Sequence, residues 1–311
     1  MSSGTITVVG EAIVDLTGGA DGRTYRADPG GSPANVAVGL ARLGVPVTLV
    51  TGLGDDAFGR LITRHLTESD VRVAAEPAAF TGMAVVTVDD AGVPAYDFAL
   101  AWEPGRVTIP PGSAALHTGS LAAALGDGPA HVEALMSGAR ATATVSYDPN
   151  VRPAFLGDLP SERARVERQV ALSDLVKASE EDLAWLYPGA DPLDVARTWR
   201  DEGPALVVIT HGARGATVIG AAGTIDRPAP VVAVADTVGA GDAFMAALLA
   251  GLASEDLLGA QRRDALAAVR APALAGLLER AVLAAAMTCT RPGADPPTIA
   301  ELDDTGPAQV S

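Results

Sequence analysis

Short runs of β-branched residues alternate along this chain with Ala/Leu-rich segments of helical length, and few folds accept that order. Strands are predicted at Thr5–Val9, Val47–Thr51, Thr144–Tyr147, Leu175–Lys177 and Leu206–Thr210. Helices are predicted at Ala34–Leu43, Phe58–Glu68, Ala130–Arg140, Ser161–Leu172, Ala243–Leu252 and Ala273–Cys289. Such alternation predicts a three-layer α/β/α sandwich with a mostly parallel central sheet covered on both faces. Two segments depart from it. Ile13–Asp28 and Met83–Trp102 alternate polar and apolar residues around turn signals at Gly18-Gly19 and Asp90-Ala91-Gly92, with no helix inside either. Each reads as a strand pair, and together they predict a small β-sheet lid, from about 13–28 and 83–102, over a site in a single 1–311 unit. The end of the chain, Asp303–Ser311, reads as a loose tail.

Charge narrows the partners. Lys and Arg total 22 against 38 Asp and Glu, a net charge of −16. Nucleic acid and anionic membranes both need a basic footprint, so neither is expected as a partner. A small anion remains open, because backbone dipoles bind phosphate even in an acidic protein. Lys177 is the sole lysine, so a phosphate clamp must rest mainly on backbone N–H groups, arginines or a metal. One cysteine, Cys289, leaves no intrachain disulfide, which suits the cytosol. The start, MSSGTITVVGEAIVDL, has no basic region before its apolar run, and no stretch approaches the roughly 18 apolar residues of a membrane span. A cytoplasmic location is expected.

The chemistry is expected near the C-terminus. A strand predicted at Val231–Val234 leads into Asp236-Thr-Val-Gly-Ala-Gly-Asp242, which feeds the helix from Ala243. Small residues let backbone approach a ligand closely, and the free N–H groups and dipole of a helix start favour an anion there. Asp242 has two readings at this position. It can be an ordinary helix cap, or it can be a base that accepts the proton of a hydroxyl attacking a phosphoryl group. A helix start favours the charged carboxylate, making the base weak; a loose transition state tolerates that. The chain has no GxxxxGK loop, lacks the third glycine of GxGxxG after its Gly-Ala-Gly, and has no HRD and DFG pair, which sets aside the commoner nucleotide folds.

Pro29-Gly-Gly-Ser-Pro-Ala-Asn35 alone reads as a loop before a helix. With Gly44 and Gly54 behind it, however, it resembles the first signature of the ribokinase-like (PfkB) carbohydrate kinases, and Asp236–Leu249 resembles the second at every defined position. Gly10-Glu-Ala-Ile-Val-Asp15 looks like the family's first strand, Ser146-Tyr-Asp-Pro-Asn-Val-Arg152 like the DPNxR stretch of its fructokinase branch, Thr210–Gly215 like the nucleotide-contacting TxGxxG loop, and Thr290–Ala294 like the loop near adenine and a monovalent cation.

The resemblance implies ATP-dependent transfer to a primary hydroxyl, with Mg²⁺ on the phosphates and K⁺ near Asp236 and Val238. It makes Asp242 the base, with Gly239, Ala240 and Gly241 as the anion hole. Asp15, Gly31 and Asn35 become sugar contacts, and Arg152 a contact to sugar or phosphate. Thr210, Gly212, Gly215, Lys177 and Ser179 fall on the ATP side. Two departures stand out. Ser179-Glu-Glu-Asp182 replaces the family's NxxE, which puts the water-mediated metal role of Asp182 in doubt, and a helix start rich in acids explains it equally well. Val282 replaces an Asn near the adenine. Fructose is the leading substrate, ahead of 2-keto-3-deoxygluconate and then ribose or a nucleoside. A catalytically inactive sugar-sensing protein is the alternative of another class. An exposed lid edge gives a reason for a homodimer.

Among the remaining residues, His211 is expected to be incidental, and Cys289 buried and inert. Asp97, Phe98 and Trp102 belong to the lid piece. Arg106 receives no role, and Ser254–Pro272 reads as a solvated helical excursion.

Overall fold

A computed structural model describes residues 4–19, 23–88, 94–100, 107–153 and 157–304. Thirteen strands are present among them: β1 Thr5–Val9, β2 Ile13–Gly18, β3 Tyr25–Gly30, β4 Val47–Leu53, β5 Arg72–Pro77, β6 Met83–Val88, β7 Pro94–Ala99, β8 Ser113–Gly119, β9 Thr144–Asp148, β10 Leu175–Ser179, β11 Leu206–Thr210, β12 Ala216–Gly220 and β13 Gly223–Arg227. The helices are α1 Ser32–Arg42, α2 Ala57–Glu68, α3 Gly128–Ala139, α4 Leu159–Ala171, α5 Glu180–Leu186, α6 Pro192–Glu202, α7 Ala240–Ser254, α8 Arg263–Ala267, α9 Ala271–Cys289 and α10 Ile299–Asp304.

Nine strands form one sheet in the order β13-β12-β11-β10-β9-β8-β1-β4-β5. All its pairs are parallel except β11–β12 and β12–β13. Both faces are covered, which is why β1, β4, β9, β10 and β11 read as near-continuous apolar runs. On one face Ile6, Val8 and Leu49 pack with α1, α7 and α9; on the other Val9, Tyr147 and Val176 pack with α3, α4 and Trp199 of α6. The C-terminal ends of β1, β8, β9, β10 and β11 share one edge, where ligands bind in open parallel sheets.

The second sheet has the order β3-β2-β6-β7 and is assembled from the two helix-free segments. The pair β2–β6 that joins them is parallel, Val14 opposite Met83. The 90–92 turn, Trp102 and Arg106 lie outside the described residues.

Several expectations need correction. Val231–Val234 is not a strand. Pro228 and Pro230 precede it, Val231 is 94% exposed, and no neighbouring strand pairs with it among the described residues, so its β-branched residues have no sheet to join. The tail begins later than Asp303, because α10 runs through Asp304. Ser254–Pro272 is not simply solvated: Leu258 and Leu266 are buried, and Arg263 reaches Asp174 at 2.8 Å. Helix α9 is 19 residues long with a mean hydropathy of 1.3, longer and more apolar than expected; it buries Leu274, Leu278, Ala281 and Val282 in the core shared with α7. Cys289 ends α9 half-buried, not buried.

Candidate active site

Two glycine-rich turns start the two helices that meet at the site. Gly31 caps α1 at φ 100°, and a Cβ there would lie 2.7 Å from the carbonyl oxygen of Glu11. Gly239 caps α7 at φ 75°, and its Cβ would lie 2.5 Å from that of Ala294. Both positions demand the left-handed backbone that glycine adopts without strain. Helices α1 and α7 then run side by side at close range, because Gly39 presents no side chain to Ala246: a Cβ on Gly39 would stand 2.6 Å from the Ala246 methyl.

Asp242 lies in the first turn of α7, three residues past the cap, so it is not the cap itself. Its carboxylate is buried and turned away from its own helix. Oδ1 accepts from Ser32 Oγ at 2.6 Å and Oδ2 accepts from Asn35 Nδ2 at 2.8 Å, both donors coming from the first turn of α1. Asp15 stands against Gly30, on the strand end that leads into α1. Strand pairing sets Ile13 against Gly30 and Asp15 against Asp28, and Gly30 lacks the side chain that would collide with the Asp15 carboxylate. Burial, helped by the charge of Asp28, pushes the Asp15 carboxyl up to about 6. The fold thus gathers Asp15, Gly30, Gly31, Asn35 and Asp242, which are separated by as many as 227 residues in sequence.

A second cluster lies beneath the first turn of α7. Lys177, on β10, is buried with its Nζ 2.8 Å from Asp148 Oδ2 at the end of β9. A Cβ on Gly241 would lie 3.0 Å from the same Nζ. Burial opposes the charge on Lys177, but the carboxylates of Asp148, Asp182 and Asp242 outweigh it and hold the ammonium protonated. Asp182 acts first as a structural brace. It forms a capping box with Ser179, accepting from Ser179 N at 2.8 Å, and its other oxygen accepts from Val151 N at 2.7 Å. This fastens α5 to the Pro149–Arg152 loop. Arg152 is exposed and folds back on the carbonyls of Asn150 and Val151.

Thr210 sits opposite Ser179 in the β10–β11 register, with Gly212 and Gly215 in the turn that follows, both at positive φ. His211 is more engaged than expected: its ring spans Glu180 Oε2 at 3.3 Å and Thr217 Oγ1 at 2.9 Å, while Arg214 also pairs with Glu180. Asp236 accepts from Val238 N at 3.1 Å and Gly293 N at 2.8 Å. Burial works against its charge, yet these N–H bonds and that of Thr237 outweigh it and lower its pKa. Val282 is a core residue, 5% exposed.

Three participants escaped the sequence reading. Ser32 lies inside Pro29–Asn35 but carries no motif weight of its own. Asp148 lies inside the DPNxR stretch, and a buried lone lysine is a signal that an acid must stand nearby. Arg42, at the far end of α1, pairs with Asp295 and donates to Pro296 O at 2.6 Å, tying α1 to the 290–296 loop.

Comparison with known proteins places this geometry. The family model for pfkB family carbohydrate kinases matches residues 4–300. Fructokinase of Klebsiella pneumoniae is 38% identical over 271 residues, 82% of this chain and 86% of that protein. The crystal structure of fructokinase with bound ATP from Xylella fastidiosa superposes with a TM-score of 0.87 at 26% identity, covering 98% of each chain. An engineered double mutant of fructokinase from Vibrio cholerae O395, bound to fructose, ADP and potassium, superposes with a TM-score of 0.79 at 27% identity, covering 97% of this chain and 98% of that one.

Proposed function

Because this chain belongs to the pfkB family of carbohydrate kinases, and is therefore an ATP-dependent sugar kinase, we propose fructose as its sugar and a primary hydroxyl as the group it phosphorylates. The observation that carries the mechanism is the meeting of Asp15, the Gly30-Gly31 turn and Asn35 with Asp242 at the start of α7. Carboxylate and amide groups hold polyol hydroxyls with directional hydrogen bonds. The sugar lies between the small sheet and the central sheet, read by Asp15, Gly31 and Asn35. Asp242 accepts the proton of the attacking hydroxyl late in the transfer. The N–H groups of Gly239, Ala240 and Gly241 hold the transferring phosphoryl oxygens, with the Lys177 charge directly behind Gly241.

ATP spans from that anion hole toward Ser179, Thr210, Gly212 and Gly215 on the neighbouring strand ends. Mg²⁺ would supply charge neutralisation on the phosphates, with Asp182 as a water-mediated ligand, because among the described residues no three acidic, His or Cys side chains group closely enough to hold the ion directly. The loop pair fastened by Asp236 and Gly293 suits a K⁺ at Asp236 and Val238. Arg152 would exchange its bonds to the Asn150 and Val151 carbonyls for sugar or phosphate. The small sheet acts as the lid, its edge strands β3 and β7 give a reason for a homodimer, and the cytoplasm is the assigned compartment.

A coupled ADP-release assay over fructose, 2-keto-3-deoxygluconate, ribose and nucleosides, with and without K⁺, tests the reading. Fructose is expected to give the highest kcat/KM, and Asp242→Asn is expected to lower kcat by at least about a hundredfold. A variant that turns over like wild type sinks the base assignment. A wild type with no sugar-dependent ADP release points to the sugar-sensing alternative.

A further inference from the structure

We propose that Ser32 is the positioning residue of the catalytic base: its hydroxyl pins Asp242 Oδ1, so that Oδ2, held by the Asn35 amide, is the oxygen presented to the sugar. The proposal rests on the sugar-kinase reading for its consequence, but on geometry alone for its cause. A serine in the first turn of a helix ordinarily turns its oxygen back onto its own backbone N–H groups. Here the α1 start has no side-chain cap at all, because Gly31 occupies the capping position. Ser32 instead directs its proton outward, at 2.6 Å, to the carboxylate of another helix. That length is typical of O–H donation to an anion, which is roughly twice as strong as a neutral bond.

The reach depends on helix packing. Gly39, two turns further along α1, lets α1 approach Ala246 of α7, and this close crossing brings the first turns of both helices together. Each carboxylate oxygen can accept about two bonds. Ser32 and Asn35 take one on each oxygen and leave a lone pair free on each. The two donors are not equivalent. Asn35 has a second N–H and a carbonyl, so it can serve sugar and base together. The single proton of Ser32 has no other use while it points at Asp242. Without it, the Asn35 bond alone restrains rotation of the carboxylate about its Cβ–Cγ bond, and the attacking hydroxyl meets a base that is misdirected for part of the time.

The test uses the full-length protein and its Ser32→Ala and Ser32→Thr variants. Kinetics and a crystal structure of each variant without substrates are the readouts, with urea midpoints as a control for folding. Ser32→Ala is expected to lower kcat roughly ten- to a hundredfold while the KM values for sugar and ATP stay within about threefold. Its Asp242 carboxylate is expected to be rotated or to occupy two orientations. Ser32→Thr, which keeps the hydroxyl, is expected to restore both the orientation and most of kcat. A Ser32→Ala structure with Asp242 unmoved overturns the proposal, as does a rotated carboxylate with wild-type kcat. Failure of Ser32→Thr to restore the carboxylate orientation overturns it as well. If wild type transfers phosphate to no sugar, the kinase reading fails separately, and the carboxylate orientation in Ser32→Ala alone decides the role of Ser32.

Discussion

Replacing Lys177 with Met removes the only ammonium beneath the α7 turn while keeping most of the side-chain volume. Lys177 and Asp148 are 4% and 2% exposed and lie 2.8 Å apart. Taking away one member of a buried pair strands the other charge without solvent, which costs about 3–5 kcal/mol. Removing both charges avoids that penalty, so the double variant Lys177→Met/Asp148→Asn is expected to recover at least about 2 kcal/mol of the loss. The four proteins of this cycle are compared by urea unfolding, with equal slopes required before midpoints are converted to free energies. Activity is expected to part company with stability. Nζ stands against Gly241, so the double variant regains its fold without regaining the positive charge behind the Gly239–Gly241 turn. Its kcat is expected to remain about a hundredfold or more below wild type, the scale seen when one oxyanion donor is lost. A coupling below about 0.5 kcal/mol would refute the buried-pair argument. A double variant with wild-type kcat would refute the catalytic role of the charge and leave Lys177 a structural partner only.

Glu11 gives a pH signature elsewhere in the fold. Its carboxyl accepts from Ala122 N at 3.0 Å, and burial raises it from 4.5 to about 7. A raised folded value means that its contribution to stability is complete below the unfolded pKa and is lost as pH climbs through about 7. That loss amounts to about 3 kcal/mol. Glu11→Gln does not titrate, so its urea midpoint is expected to gain on wild type between pH 5 and pH 8; a constant difference would count against the burial argument. Gly239→Ala forces a left-handed residue with a side chain against Ala294. It is expected to cost about 1–2 kcal/mol from backbone strain alone and to lower kcat by shifting the N–H groups of the turn, as read by thermal unfolding and the ADP-release assay.

The parts of this protein that could be read from its sequence are those whose physics is local. The Gly30-Gly31 and Gly239–Gly241 turns announce themselves because positive φ and close approach admit little besides glycine. Alternation in Ile13–Asp28 and Met83–Trp102 marks a two-faced sheet regardless of what lies beside it. Strand β8 was missed although it lies between β1 and β9. Its segment, Ser113–Gly119, carries a histidine and small residues, and only the sheet gives His117 its buried partner, Ser146 at 2.9 Å. Val231–Val234 fails in the opposite way, having the side chains of a strand but no neighbour to pair with. The Ser32 partner of Asp242 was invisible for a related reason. Its contact with Ser32 spans 210 residues and is created by a helix crossing, which leaves no periodic trace in either segment.

Helix α1 touches Asp242 with Ser32 and Asn35 in its first turn and the 290–296 loop with Arg42 in its last. At about 1.5 Å per residue it works as a ruler roughly 16 Å long between Asp242 and that loop. One residue inserted into it would swing one end about 100° around the axis relative to the other, so that Ser32 and Arg42 could no longer both engage. The span from Ser32 to Arg42 therefore has a single length at which both ends keep their partners.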